Sequence, residues 1–192
     1  MSFDNASICM EKDEALALMQ SHVKSDSLRG HCIATAAVMK GLAEELGEDA
    51  GLWEAIGILH DIDFEEIDED MTRHGLAGYD ILKNAGVGDE IAGPIRRHNH
   101  MLFGDGYTSP VEISLQVADS VSGLVIACAY VKGGNITEVS TKTVTKKYKT
   151  ASFAAGCDRA RIALGDELVP RDRMYEIAIR EISLVKDQLG LV

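Results

Sequence analysis

Apolar positions recur at steps of three and four along almost the whole chain. Leu16, Met19 and Val23 give residues 11–23 one apolar helical face. Leu28, Cys32, Thr35, Met39, Leu42 and Leu46 repeat that spacing over 28–46, between a Ser25-Asp26-Ser27 start signal and a Gly47 stop. Residues 49–60 predict a third helix, carrying the apolar run Leu52 to Leu59. The acidic stretch 61–70 breaks the period and predicts a loop. Leu76, Tyr79 and Leu82 resume the period over 72–84 before Gly86, and residues 89–98 follow, with Gly93-Pro94 expected to start or kink that helix.

Residues 101–109 hold Gly104 and Gly106 and predict a polar loop. Pro110 stands where a helix prefers its proline, opening the long apolar stretch 111–131, which Gly133-Gly134-Asn135 ends. Residues 141–150, 151–164 and 171–189 predict three further helices. No segment makes a convincing strand and no internal repeat is visible. The expectation is an all-α fold: one compact helical bundle over 1–192, with a core of about 25–165 and the helix 171–189 packed on it.

Composition narrows the class. A chain of 192 residues suits one domain with a sizeable core. Aromatics are only 5%, so Leu, Ile, Val, Ala and Met must fill that core. The formal charge of −12 argues against broad contact with nucleic acid backbones, which needs clustered positive charge. No apolar run reads as long enough to span a bilayer, and Met1-Ser2-Phe3-Asp4 does not begin a signal peptide, so a cytoplasmic location without membrane contact is expected. Cys9, Cys32, Cys128 and Cys157 lack CxxC spacing and read as small buried hydrophobes of a reducing compartment. Oligomeric state is open, with a homo-oligomer allowed.

The candidate chemistry is a set of imidazoles and carboxylates: His31, the pair His60-Asp61, His74, His98 and Asp119, each in a segment that reads as helix. Imidazole and carboxylate suit Fe, Mn, Zn, Co or Ni, and no thiolate sits near the set to favour a softer metal. A carboxylate can bridge two cations through its two oxygens, so Asp61 is the natural bridge if two bind, with His60 serving one side. Asp119 interrupts the apolar run Leu115 to Val121, where a buried carboxylate must be paired or metal-bound. Singly, each residue has a bland reading: a hydrogen-bonded core histidine, or Asp119 paired with Arg159 or Arg161. All of these holding together in this order is harder to accept than one shared site. His22 reads as surface, and His100, two residues from His98, would not share its helical face.

The segments Leu59-His60-Asp61-Ile62-Asp63-Phe64, Arg73-His74-Gly75 to Leu82, Ile95-Arg96-Arg97-His98-Asn99 and Val117-Ala118-Asp119 resemble, in order and spacing, the HDIG-type branch of the HD-domain superfamily of metal-dependent phosphohydrolases. The tail from Lys146 to Arg159 is similar to an uncharacterised hydrolase group of that branch. The resemblance covers roughly 25–165 and implies an all-helical fold around a central metal. It implies a cation on His31, His60, Asp61 and Asp119, and a second completed by His74 and His98. Asp61 and His60 would then carry catalysis, with water activated at the centre attacking phosphorus. Asn99 after His98 departs from the adjacent histidines of the HD-GYP phosphodiesterases, and Gly104-Asp105-Gly106-Tyr107 echoes their loop only faintly.

The implied substrate is a small phosphorylated metabolite, a nucleotide before a polymer. Arg96 or Arg97 and the lysines and arginines from Lys142 to Arg161 are the candidates to receive it, Arg97, Lys146, Lys147 and Arg159 foremost, against the alternative of a solvated helix face. The same six ligands occur in HD-fold mixed-valent diiron oxygenases, and a catalytically silent sensor or scaffold is a third reading.

Overall fold

The computed structural model describes residues 10–104 and 106–192; Cys9, the opening Met1-Ser2-Phe3-Asp4 and Asp105 lie outside the described residues. Helices α1 (Lys12–His22), α2 (Asp26–Leu46), α3 (Ala50–Leu59), α4 (Leu76–Asn84) and α5 (Asp89–Arg97) occupy the first half. After them come α6 (His100–Phe103), α7 (Pro110–Val131), α8 (Thr141–Tyr148), α9 (Arg159–Leu164) and α10 (Arg171–Leu184). There is no strand among the described residues.

Local chemistry sets the ends. The Ser25 hydroxyl accepts the Leu28 amide at the start of α2, and Gly47, at φ +73°, terminates it. Asp49 caps α3 through the Leu52 amide at 2.9 Å. Ser109 caps α7, with Pro110 in its first turn.

Helix α2 is the hub, packing on α3, α7 and α10, while α7 also contacts α8 and α9. Met39, Ile56, Leu59, Leu115, Leu124 and Tyr175 are fully buried between them. Helices α2 and α3 approach closely at Gly57, where an added Cβ would lie 2.4 Å from the Ala36 Cα. Only glycine permits α2 and α3 to touch this closely, and the contact lies between His31 and His60 along the two helices.

Several predicted boundaries move, each for a local reason. Helix α4 begins at Leu76 rather than 72, because Gly75 at φ +83° closes a turn that leaves His74 outside the helix. Helix α5 starts at Asp89 and carries Pro94 inside it, so Gly93-Pro94 does not start it. Within the predicted loop 101–109, Asn99 accepts the Met101 amide and nucleates α6. Residues 151–157 are turns rather than helix: the Arg159 guanidinium donates to the carbonyls of Phe153, Ala154 and Cys157, and Ala154 sits at φ +46°. A side chain thus satisfies carbonyls that a helix would have paired. The C-terminal helix ends at Leu184 and continues as a 3-10 turn, Lys186–Leu189.

Helix α7 corrects the reading that no stretch is long and apolar enough to cross a membrane. Its 22 residues have a mean hydropathy of 1.5 in the most apolar window, which meets that test by length and composition. Burial of 61% of that window in the bundle accounts for the apolarity. Cys32 and Cys128 are buried, Cys157 is half-buried, and all three are free thiols.

Candidate metal centre

Six side chains from five places in the chain meet at one point. His31 comes from the second turn of α2, His60 from the C-cap of α3 and Asp61 from the turn after it. His74 comes from the turn before α4, His98 from the C-cap of α5 and Asp119 from the middle of α7. Two groups result, His31-His60-Asp119 and Asp61-His74-His98, each with donor atoms within 4.8 Å of one another.

Asp61 joins them. Its Oδ2 is 3.3 Å from His60 Nε2 and 3.6 Å from His31 Nε2, while Oδ1 is 3.4 Å from both His74 Nε2 and His98 Nε2. One carboxylate oxygen therefore faces each group. Asp119 Oδ1 lies 3.1 Å from His31 Nε2 on the first side only. His31 and Asp119 are partly exposed, whereas His60, Asp61, His74 and His98 are buried.

The imidazole tautomers favour a cation. His60 Nδ1 lies 2.9 Å from the Gly57 carbonyl and His98 Nδ1 2.5 Å from the Ile95 carbonyl. A carbonyl only accepts, so both Nδ1 atoms carry hydrogen. His74 Nδ1 likewise faces Asp63 Oδ1 at 2.9 Å. The three Nε2 lone pairs then point inward. His98 Nε2 is 2.9 Å from His74 Nε2, and His60 Nε2 is 3.2 Å from His31 Nε2. Such pairs repel unless a proton or a metal ion lies between them, and this donor set fits a divalent transition metal in each group.

The electrostatics agree. Burial opposes charge on His31, yet Asp119 and Asp61 push its pKa up to about 9. Burial likewise opposes charge on His74, yet Asp61 and Asp63 raise it to about 9. Burial dominates at the enclosed His98 and lowers its pKa. Asp61 is held well below the usual carboxylate range against the cost of burial, chiefly by His60 and the hydrogen bonds of His74 and His98. His31 overcomes the burial of Asp119 in the same way and brings it to about 2. Without metal, protons on His31 and His74 offset part of the negative charge of Asp61, Asp63 and Asp119.

A supporting layer fixes these candidate ligands, and reading the chain alone gave it no role. Asp63, fully buried, accepts the amides of Gly75 and Gly78 at 2.8 and 2.7 Å as well as His74 Nδ1. Asn99 donates to the carbonyls of Met71 and His74, which ties the α5–α6 corner to the turn bearing His74. Gln116, one turn before Asp119, donates to the His98 carbonyl at 2.9 Å. Asp63 and Asn99 each follow a ligand closely in sequence, a signal that could have flagged them.

The centre floors a cavity of about 440 Å³ whose wall includes Phe64, Met71, His100, Cys157 and Arg161. None of the four basic residues expected to receive substrate lines it. Arg97 pairs with Glu112 at 2.7 Å, Arg159 is spent on backbone carbonyls, Lys147 covers the Phe153 ring and Lys146 is exposed. Arg161 occupies the wall instead, donating to the His98 carbonyl and to His100 Nδ1, so neither Arg159 nor Arg161 is the partner of Asp119.

Comparisons with known proteins agree with this geometry. The profile of the HD domain matches residues 28–124, a span that holds all six candidate ligands. Over 132 residues the chain is 30% identical to Ribonuclease Y of Protochlamydia amoebophila (strain UWE25), a match covering 68% of this chain. It spans only 24% of that larger protein. No solved structure matches the chain.

Proposed function

We propose that this chain, which belongs to the HD-domain family, is a metal-dependent phosphohydrolase acting on a small phosphorylated metabolite of the nucleotide class. The observation that carries this reading is Asp61, with one oxygen directed to each of two imidazole groups. His31, His60 and Asp119 would hold one cation and His74 and His98 a second, with Asp61 available to both. Cations bound there supply Lewis acidity and water that ionises near neutral pH.

The protein's own contribution is positioning. The Gly57 and Ile95 carbonyls and Asp63 hold protons on the Nδ1 atoms, so each imidazole presents a lone pair at Nε2. Phe64 and Met71 add apolar surface to the lining of the cavity. Its volume lies within the usual range for small-molecule sites. The ribonuclease relative is named for action on RNA, but a net charge of −12 disfavours a long polyanion here. A cytoplasmic setting, with no membrane or long nucleic acid as partner, belongs to the same reading.

The test is phosphate release from a panel of nucleotides and simple phosphoesters with Mn²⁺, Fe²⁺, Co²⁺ or Ni²⁺ under nitrogen. Release that Asp61→Ala abolishes is the expected result. Metal-dependent O₂ consumption without phosphate release from any ester overturns it in favour of an oxygenase. Stoichiometric metal binding with neither activity leaves a sensor.

A further inference from the structure

Arg161 is a buried cation without a counter-ion. It is 8% exposed, and among the described residues no carboxylate comes within ion-pair distance of its guanidinium. Its Nε–H is buried with no hydrogen-bond partner. Asp158, on the same cavity wall, turns its Oδ1 to the backbone amides of Ala160 and Arg161 rather than to the side chain. Burying an unpaired cation is costly, and here it faces the cavity that holds the metal centre.

Arg161 is not needed to hold His98 in place. The His98 carbonyl already accepts from Gln116 Nε2 at 2.9 Å, and Tyr107 Oη lies 3.2 Å from it, its single hydrogen shared with the Arg97 carbonyl at 3.1 Å. Arg161 Nη2, at 2.7 Å, is a further donor on that oxygen. Its planar fork can therefore turn toward an anion in the cavity while the backbone at His98 stays satisfied. A guanidinium offers parallel N–H donors that match two oxygens of a phosphate.

Resting on the hydrolase reading above, we propose that Arg161 binds the phosphoryl group of the substrate, and that the substrate is a phosphomonoester. A diester has two non-bridging oxygens, which two cations would engage. A monoester has a third, and Arg161 is the group placed to receive it. Of the basic residues between Lys142 and Arg161 that the sequence offers for this role, Arg159, two residues away, has its guanidinium occupied by the turn it holds together.

The experiment compares Mn²⁺-loaded wild type, Arg161→Gln and Arg161→Lys. Metal content is measured by plasma mass spectrometry, inorganic phosphate binding by calorimetry, and kinetics with 4-nitrophenyl phosphate and bis(4-nitrophenyl) phosphate. The proposal predicts full metal content, a loss of phosphate affinity of at least about tenfold in Arg161→Gln and a smaller loss in Arg161→Lys. It also predicts that KM rises more for the monoester than for the diester. Should Arg161→Gln not fold, Arg161→Lys decides alone. Unchanged phosphate affinity, absence of phosphate binding to wild type, or loss of metal from both variants overturns the assignment; the last outcome would make Arg161 a support for His98. If wild type hydrolyses neither ester while phosphate binding still depends on Arg161, the anion site stands and the hydrolase reading falls.

Discussion

His74 and Asp63 form a buried couple: His74 Nδ1 lies 2.9 Å from Asp63 Oδ1, and the other carboxylate oxygen of Asp63 accepts the amides of Gly75 and Gly78. The couple does for a turn what a helix does for His31, fixing where the imidazole points. Asp63→Asn leaves one acceptor oxygen where the native residue offers two, and adds N–H donors that would face the His74 proton or the two amides. Metal affinity of the His74–His98 side should fall about 10–100-fold, with the His31 side unchanged. Competition titration with Mn²⁺ checks this, and equal weakening of both sides would contradict it.

Gly57→Ala tests the helix contact that brings His31 to His60. The new Cβ would meet the Ala36 backbone at 2.4 Å, and backbone cannot yield as a flexible side chain does. The variant should lose about 3 kcal/mol of stability, at the upper end for overpacking, and bind metal more weakly because α2 and α3 are forced apart. Urea denaturation of the metal-free protein is the readout. A shift below about 0.5 kcal/mol would show that the helices part easily.

The pH dependence of stability has two limbs in the metal-free protein. The folded pKa values of His31 and His74, about 9, lie above their ordinary 6.5, so their contribution is complete below pH 6.5 and fades as pH rises through 9. Glu65, held low by the Ser25 hydroxyl and the Lys24 amide, contributes above its ordinary 4.5 and fades as pH falls through its depressed folded value. Asp63, lowered by His74 against the effect of burial, behaves likewise below 3.8. Melting temperature should therefore peak between about pH 5 and 6.5. Saturating Mn²⁺ should remove the alkaline limb, because an occupied site needs neutral imidazoles. Persistence of that limb with metal bound would contradict the assignment of His31 and His74 as ligands.

The helical period made α1, α2, α3 and α7 legible, since Ser25, Gly47, Asp49 and Pro110 mark boundaries by local chemistry. It failed where long-range bonds replace the helix ladder. Arg159 gathers the carbonyls of residues 153–157, and Gly75 ends one turn in a left-handed conformation that leaves His74 outside α4. The six ligand candidates were legible as an ordered set of imidazoles and carboxylates, and they do converge. The basic residues around them were not. Which of Arg159 and Arg161 reaches the cavity depends on one turn of chain whose path is set by the arginine itself. Asp63 stands just before Glu65, Glu66, Asp68, Glu69 and Asp70, which read as solvated, and its burial separates it from them.

The central claim is that Asp61 stands between two metal ions. Anomalous diffraction from a crystal grown with Mn²⁺ tests it most directly. The account predicts two peaks, one against His31, His60 and Asp119 and the other against His74 and His98, with one Asp61 oxygen directed to each. A single peak, or a peak lying away from Asp61, would contradict it.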